Sequence, residues 1–252
     1  MKIKLFILSI TTLLLGASHA QQFIDKGTIE FEVKTNIKKS MGNSSWVAML
    51  KESLPEFKTS YYSYSFANNQ SIYTFDRWAD GPRLPEFLRR GDESNVWYYN
   101  FTDQKMSKQK SVFSSNFVIE DSISNIEWKL TNESRLIAGF NCRKAVGKIM
   151  DSVYVFAFYT DEITISGGPC SINGLPGMIL GLTIPRLYSS WIATKVIVTK
   201  TDEKSITPIS GKKKYSYKLF SNTLDERLKE WGGNEDEEDR KWREQLYWNA
   251  LL

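Results

Sequence analysis

The chain has 252 residues, 41% of them hydrophobic, with 33 Lys and Arg against 29 Asp and Glu for a formal charge of +4. That length fits one domain with a sizeable core. The near balance of charge, with the basic cluster Lys212-Lys213-Lys214 followed by the acidic run from Glu235 to Asp239, excludes the broad positive face that a nucleic-acid partner demands.

Lys2 and Lys4 precede an apolar run from Leu5 to Leu15, and Ala17-Ser18-His19-Ala20 places small residues at a cleavage site, so residues 1–20 read as a signal peptide. The run is shorter than the ~20 residues of a bilayer span. No later segment is apolar for long enough to cross a membrane, so no transmembrane segment is expected after cleavage. An exported chain in the periplasm follows. His19 is the sole histidine and would leave with the peptide. The remainder then lacks the usual near-neutral general base and the commonest transition-metal ligand. Asp161-Glu162 and Asp225-Glu226 are adjacent carboxylates whose ordinary reading is solvated charge. No catalytic residue, metal site or cofactor is assigned, and a non-enzyme is expected.

In chain order, Ile29, Phe31 and Val33 alternate with Thr28, Glu30, Glu32 and Lys34, the period of a strand with one buried face. The segment from Ser44 or Ser45 to Leu54 reads as a helix with Trp46, Val47, Leu50 and Leu54 on one stripe. Asn68-Asn69-Gln70 separates two aromatic-rich strands as a hairpin turn would, and Thr102-Asp103-Gln104 marks a second bend. Further strands are predicted at 117–120, 126–131, 134–148, 153–159, 179–184, 191–200 and 215–220. Val153 to Tyr159 is apolar on both faces, so something must cover each side. Leu224, Leu228 and Trp231 form the stripe of a second helix, and residues 234–252 a third. These elements predict a mainly β chain: a large curved antiparallel sheet, half-barrel-like and similar to periplasmic lipoprotein-carrier folds, with helices on one face. A flat two-sheet sandwich is the alternative. Residues 21–220 form the β domain, and 221–252 a charged helical tail.

The stretch from Gly167 to Leu182 crowds Gly167, Gly168, Pro169, Gly174, Pro176 and Gly177 around apolar residues. Leu175-Pro176-Gly177-Met178 suits a type II turn, with proline at its second and glycine at its third position. The chain would reverse tightly and turn Leu175, Met178, Ile179 and Leu180 inward, either as a corner closing the core or as a gate over a cavity. Cys142 and Cys170 allow a disulfide, which would constrain the unfolded chain by roughly 3 to 4 kcal/mol, or two buried thiols.

Gly174 to Leu180, the preceding Gly167-Gly168-Pro169, and the element Gly139, Cys142, Lys144, Ala145 together resemble the GLPGLI family of Bacteroidota. Met178 stands where that hexapeptide has leucine, and Cys170 departs from its pattern. The resemblance implies an exported envelope protein associated with outer-membrane transport systems. The expected function is therefore a binding or accessory partner of an outer-membrane transport protein. The alternative is a carrier of a lipidic or other apolar ligand in a half-barrel cavity.

Overall fold

The structure is a computed structural model that describes residues 23–41, 45–198, 201–231 and 237–252. The expected signal peptide lies outside the described residues. The elements are β1 (Gly27–Asn36), α1 (Ile37–Ser40), α2 (Ser45–Ser53), β2 (Phe57–Ala67), β3 (Gln70–Trp78), α3 (Glu86–Ser94), β4 (Val96–Asn100), β5 (Lys105–Val112), β6 (Ser115–Ser122), β7 (Trp128–Ile137), β8 (Phe140–Ile149), β9 (Val153–Thr160), β10 (Met178–Ile184), β11 (Ser189–Ile197), β12 (Lys214–Tyr215), α4 (Tyr217–Trp231) and α5 (Glu237–Leu251).

The described strands form one sheet in the order β12-β6-β5-β4-β3-β2-β1-β11-β10-β9-β8-β7. It is antiparallel except where β12 runs parallel to β6. β6 and β7 follow each other in the chain yet stand ten places apart in this order, joined by residues 123–127. A flat sheet would separate them by about 48 Å at the usual strand spacing. The connection reaches about 20 Å at most. The sheet must therefore curl until its two wings approach, and it is a curved, open sheet, not a flat sandwich.

The predicted alternation holds on β1, where Ile29, Phe31 and Val33 are buried, and it propagates by register. Ile29 faces Tyr64 and Phe31 faces Tyr62 on β2; Tyr64 faces Tyr73 on β3; Tyr73 faces Trp97 on β4. These rings share the inner face. Tyr62 and Tyr73 stack at 4.8 Å between centroids, and Phe31 meets Tyr73 edge-on at 6.1 Å. Such pairs contribute about 0.5–1.5 kcal/mol each beyond their burial. Helix α4 adds Phe220 and Leu224 to this inner core, and the end of α5 adds Ala250, Leu251 and Leu252. On the outer face the segment carrying Ile206 and Ile209 covers Ala67, Ile72 and Tyr98.

Asn68 and Asn69 both take positive φ, 51° and 59°, the left-handed pair of a two-residue hairpin. Four expectations need correction. The strands predicted at 126–131 and 134–148 are β7 and β8, reversing at Ala138 and Gly139, which have φ of 48° and 88°. Of residues 215–220 only Tyr215 is in a strand, at the end of β12: Ser216 Oγ accepts from Leu219 N at 3.2 Å and starts α4 as its cap. Helix α3 was not predicted; it begins behind Pro85 without a side-chain cap and contains Gly91, so its local signals are weak. Among the described residues the outer side of β9 is left partly open: Tyr154 is 58% exposed, while the guanidinium of Arg135 lies 4.0 Å from the Phe158 ring and Lys144 Nζ lies 5.7 Å from the Phe156 ring. Long basic side chains shield those rings instead.

The connection from β9 to β10, residues 161–177, runs across the hollow of the sheet. Met178 N donates to Ile163 O at 3.1 Å, and Ile179 N to Gly167 O at 2.9 Å. Gly177 N donates to Leu175 O at 2.8 Å, so the reversal is a three-residue turn on Pro176, not the type II turn predicted. Leu175, Met178, Ile179 and Leu180 do point inward, each at most 1% exposed. Gly177 has φ of 134°, and a Cβ there would lie 2.1 Å from Thr160 O. Gly139 has φ of 88° with nothing within 4 Å of such a Cβ. Gly177→Ala should therefore lower stability by at least about 3 kcal/mol, and Gly139→Ala by about 1 kcal/mol, since the first adds a backbone clash to the strain they share. Urea unfolding of the two variants checks the difference.

Candidate functional site

Two places concentrate polar chemistry. The first is the hollow, where Lys108 and Lys110 on β5 share the inner face with Met106 because β5 alternates with a period of two. They are 5% and 3% exposed. Lys108 Nζ donates to Ser171 Oγ at 2.6 Å, and Lys110 Nζ to Asn249 O at 3.4 Å while lying 4.6 Å from the centre of the Trp97 ring. Burial, and the neighbouring Lys110, pull Lys108 down to a pKa of about 7. Burial pulls Lys110 down to about 8. Ser171 Oγ and Trp97 Nε1, the latter at 2.9 Å, both donate to the main-chain oxygen of Leu252. Tyr64, Tyr73 and Tyr99 bring buried hydroxyls to the same region, where none makes a well-formed hydrogen bond although Ser71, Trp191 and Ser171 lie near enough to lower their pKa. Burial outweighs those neighbours and raises all three.

The glycine-proline segment is the wall of this hollow. A Cβ on Gly167 would lie 2.0 Å from the Tyr64 hydroxyl, and one on Gly168 would lie 2.5 Å from Ile172 O. Pro169 is buried, and its carbonyl accepts from Ile172 N at 3.2 Å. Gly174, with φ of 88°, is exposed at the tip, where its N–H donates to Ser166 O and Trp128 Nε1 donates to Asn173 O. Of the second element, Gly139 makes the β7–β8 turn, Ala145 is fully buried, and Lys144 pairs with Glu133 on the outer face. Asp161 makes an exposed ion pair with Arg143. The expected motif thus builds one wall, but the lysines facing it were not singled out from the sequence. The available signal was their spacing in Met106-Ser107-Lys108-Gln109-Lys110, which puts both on one face with Met106.

The second place is a cleft of about 530 Å³ between α1, the 3-10 turn Pro185–Leu187 and α5. Its lining includes the basic side chains Lys38, Lys39, Lys51, Arg186 and Lys241 and the carboxylate Glu56, with Arg186 ion-paired to Glu244 and Lys241 to Glu237. Tyr188 and Trp242 supply aromatic faces, and Tyr188 is 39% exposed. Gln245 is 8% exposed; its amide N–H donates to Arg186 O, while its Oε1 has no partner among the described residues. Such a cleft favours an anionic or hydroxyl-rich ligand.

Cys142 and Cys170 are free and buried. The alternative of two unpaired thiols is the one the structure shows. Cys142 Sγ lies 3.5 Å from Phe140 O on β8, whereas Cys170 sits at φ 55° near the buried lysines. Burial pushes both thiols up to about 12, against the pull of Lys110 and Lys108 on Cys170. Thiolate is then scarce at pH 8. Thiol titration should find two reactive groups per chain in denaturant, and in the native protein reaction at the unfolding rate. One or none in denaturant would show a bond.

The family profile described as "N-glycanase peptide, N-terminal domain" matches residues 88–219. Among solved structures, PNGF-II in a P21 crystal aligns with a TM-score of 0.51 at 15% identity, covering 79% of this chain and 32% of that one. PNGF-II in a C2 crystal gives 0.48 at 16%, covering 75% and 31%. An uncharacterized conserved protein from Thermus thermophilus gives 0.37 at 8%, covering 75% and 90%. At these identities the likeness concerns the fold, and the chain spans about a third of the PNGF-II chains, at 32% and 31%. No curated protein matches the sequence. The matched span takes in more than half of the chain, including the buried lysines and the whole glycine-proline wall, and the protein belongs to the N-glycanase peptide N-terminal domain family.

Proposed function

We propose that the chain is an exported recognition domain that works beside an N-glycanase activity, holding a carbohydrate-bearing peptide in the cleft between α1 and α5. The observation that carries this reading is the combination, in one cleft, of the Tyr188 and Trp242 faces with the buried, unpartnered Gln245 Oε1. Sugar rings offer C–H faces that pack on aromatic rings and hydroxyls that donate to a fixed acceptor. The backbone that frames the cleft is held from both sides: Asn36 N donates to Tyr188 O and Asn36 Nδ2 to Glu56 Oε1, each at 2.9 Å. Arg186 is steadied by Glu244 at 3.2 Å and by the Trp248 ring at 4.8 Å.

The GLPGLI resemblance supports export to the envelope. An outer-membrane transport partner draws no support from the family match. An apolar ligand carried in the hollow would have to displace residues 161–177 and the buried Ala250, Leu251 and Leu252.

Calorimetric titration of a glycopeptide bearing an N-linked glycan, compared with the same peptide without it, checks the reading. Binding of the glycosylated form alone is expected, weakened about tenfold or more by Tyr188→Ala or Trp242→Ala, as loss of a stacking face costs on the order of 1.4 kcal/mol or more. Equal binding of both peptides would overturn it.

A further inference from the structure

Helix α5 takes part in both polar places. Trp242 and Gln245 stand in the cleft, and one turn beyond them the main chain of Asn249 reaches the hollow. The last turn of a helix leaves carbonyls without an intrahelical partner. Two main-chain oxygens at this end are taken up by donors of the sheet and its loop: Lys110 Nζ donates to Asn249 O at 3.4 Å, while Trp97 Nε1 and Ser171 Oγ donate to Leu252 O. A cation beside the negative end of the helix dipole adds to that grip. The middle of α5 is fastened to the turn Pro185–Leu187. Gln245 Nε2 donates to Arg186 O, and the Arg186 guanidinium pairs with Glu244 at 3.2 Å and lies 4.8 Å from the Trp248 ring. Tyr188 closes the turn: its N–H donates to Pro185 O at 3.0 Å, and its carbonyl accepts from Asn36 N at 2.9 Å.

We propose that α5 is a lever joining the hollow to the cleft, with Lys110 and Trp97 as positioning residues whose hold on its last turn sets Gln245 against Arg186. Rigid elements of this kind carry a displacement from one site to another. Gln245 is the joint. Its Nε2 is spent on Arg186 O, which fixes its unpartnered Oε1 as the atom left for a ligand and steadies Tyr188 on the far wall. Because coupling between two sites is reciprocal, a filled cleft and a seated helix end favour each other. That coupling to ligand rests on the reading of the cleft as a glycopeptide site; the lever in the free protein does not.

A double-mutant cycle on the 252-residue chain, read by hydrogen exchange without ligand, decides the lever. Lys110→Met removes the donor to Asn249 O, and Gln245→Ala removes the joint. Exchange of the Asn36 and Tyr188 amides is compared with that of Phe31 and Tyr64 in the central strands, which reports any loss of global stability. With Gln245 present, Lys110→Met should speed exchange at Asn36 and Tyr188 about threefold or more relative to the central pair, and hardly at all where Gln245 is already alanine. Equal acceleration in both backgrounds, or none in the native one, would overturn the lever. Trp97→Phe loosens the same turn at Leu252 O and carries the same two outcomes, so the cycle stands if circular dichroism shows Lys110→Met unfolded. Saturation with the glycopeptide should in turn slow exchange of the Leu252 amide, bonded to Trp248 O at 3.1 Å, by about threefold or more. A bound glycopeptide that leaves this amide unchanged would overturn the coupling to ligand. Absence of any glycopeptide binding would instead sink the reading of the cleft and leave the exchange cycle to judge the lever.

Discussion

Five residues between β6 and β7 tie together strands at opposite wings of the sheet, and the curl this forces creates a hollow that the chain has to fill with itself. Protein interiors do not tolerate an empty volume of that kind, because each unfilled contact forfeits dispersion and burial energy. The connection from β9 to β10 supplies the filling. It reaches Trp128 near one edge through Asn173 O and Lys108 on the other wing through Ser171, so one loop bonds to both wings of the curled sheet. Its glycines follow from that position. Where Gly167 passes the Tyr64 hydroxyl and Gly177 passes Thr160 O, there is no room for a Cβ. The motif that marks the sequence is thus the part of the chain pressed hardest against the sheet.

The filling is polar where it could have been oily. Three tyrosine hydroxyls, two lysines, a serine and a cysteine meet in the hollow, and each polar group carries a desolvation cost that apolar residues would avoid. Aromatic faces offset part of it, with Trp97 under Lys110 and Tyr217 at 5.6 Å from Lys108. The end of α5 completes the arrangement, its main-chain oxygen taking the Trp97 and Ser171 donors. The C-terminal helix is therefore bound to the same interior that the loop fills.

Much of the sheet was legible because its signals are local. The alternation on β1, the Asn68-Asn69 reversal and the apolar entry into β10 each follow from side-chain period or turn chemistry. What escaped had weak or misleading local signals. Ala138-Gly139 lies inside an apolar run that hides the turn, and Tyr215 to Phe220 alternates like a strand until Ser216 caps a helix. The site was half legible. Glycine and proline announced the wall, but nothing in the sequence reading singled out Lys108 and Lys110; register with Ile119 and Phe117 on β6 places them inward. The cleft was invisible, since Asn36, Arg186 and Gln245 come together only when α5 docks.

Hydrogen exchange of the loop amides tests the seated loop most directly. Gly174 N, Met178 N and Ile179 N donate to Ser166 O, Ile163 O and Gly167 O, all within or beside the loop. If the loop is what the curled sheet closes upon, these three should exchange only through global unfolding, at the same rate as the central amides of β1 and β2. Exchange about tenfold faster or more at these positions, with β1 and β2 still protected, would show that the loop opens while the sheet stands, and would contradict its role as the filling of the fold.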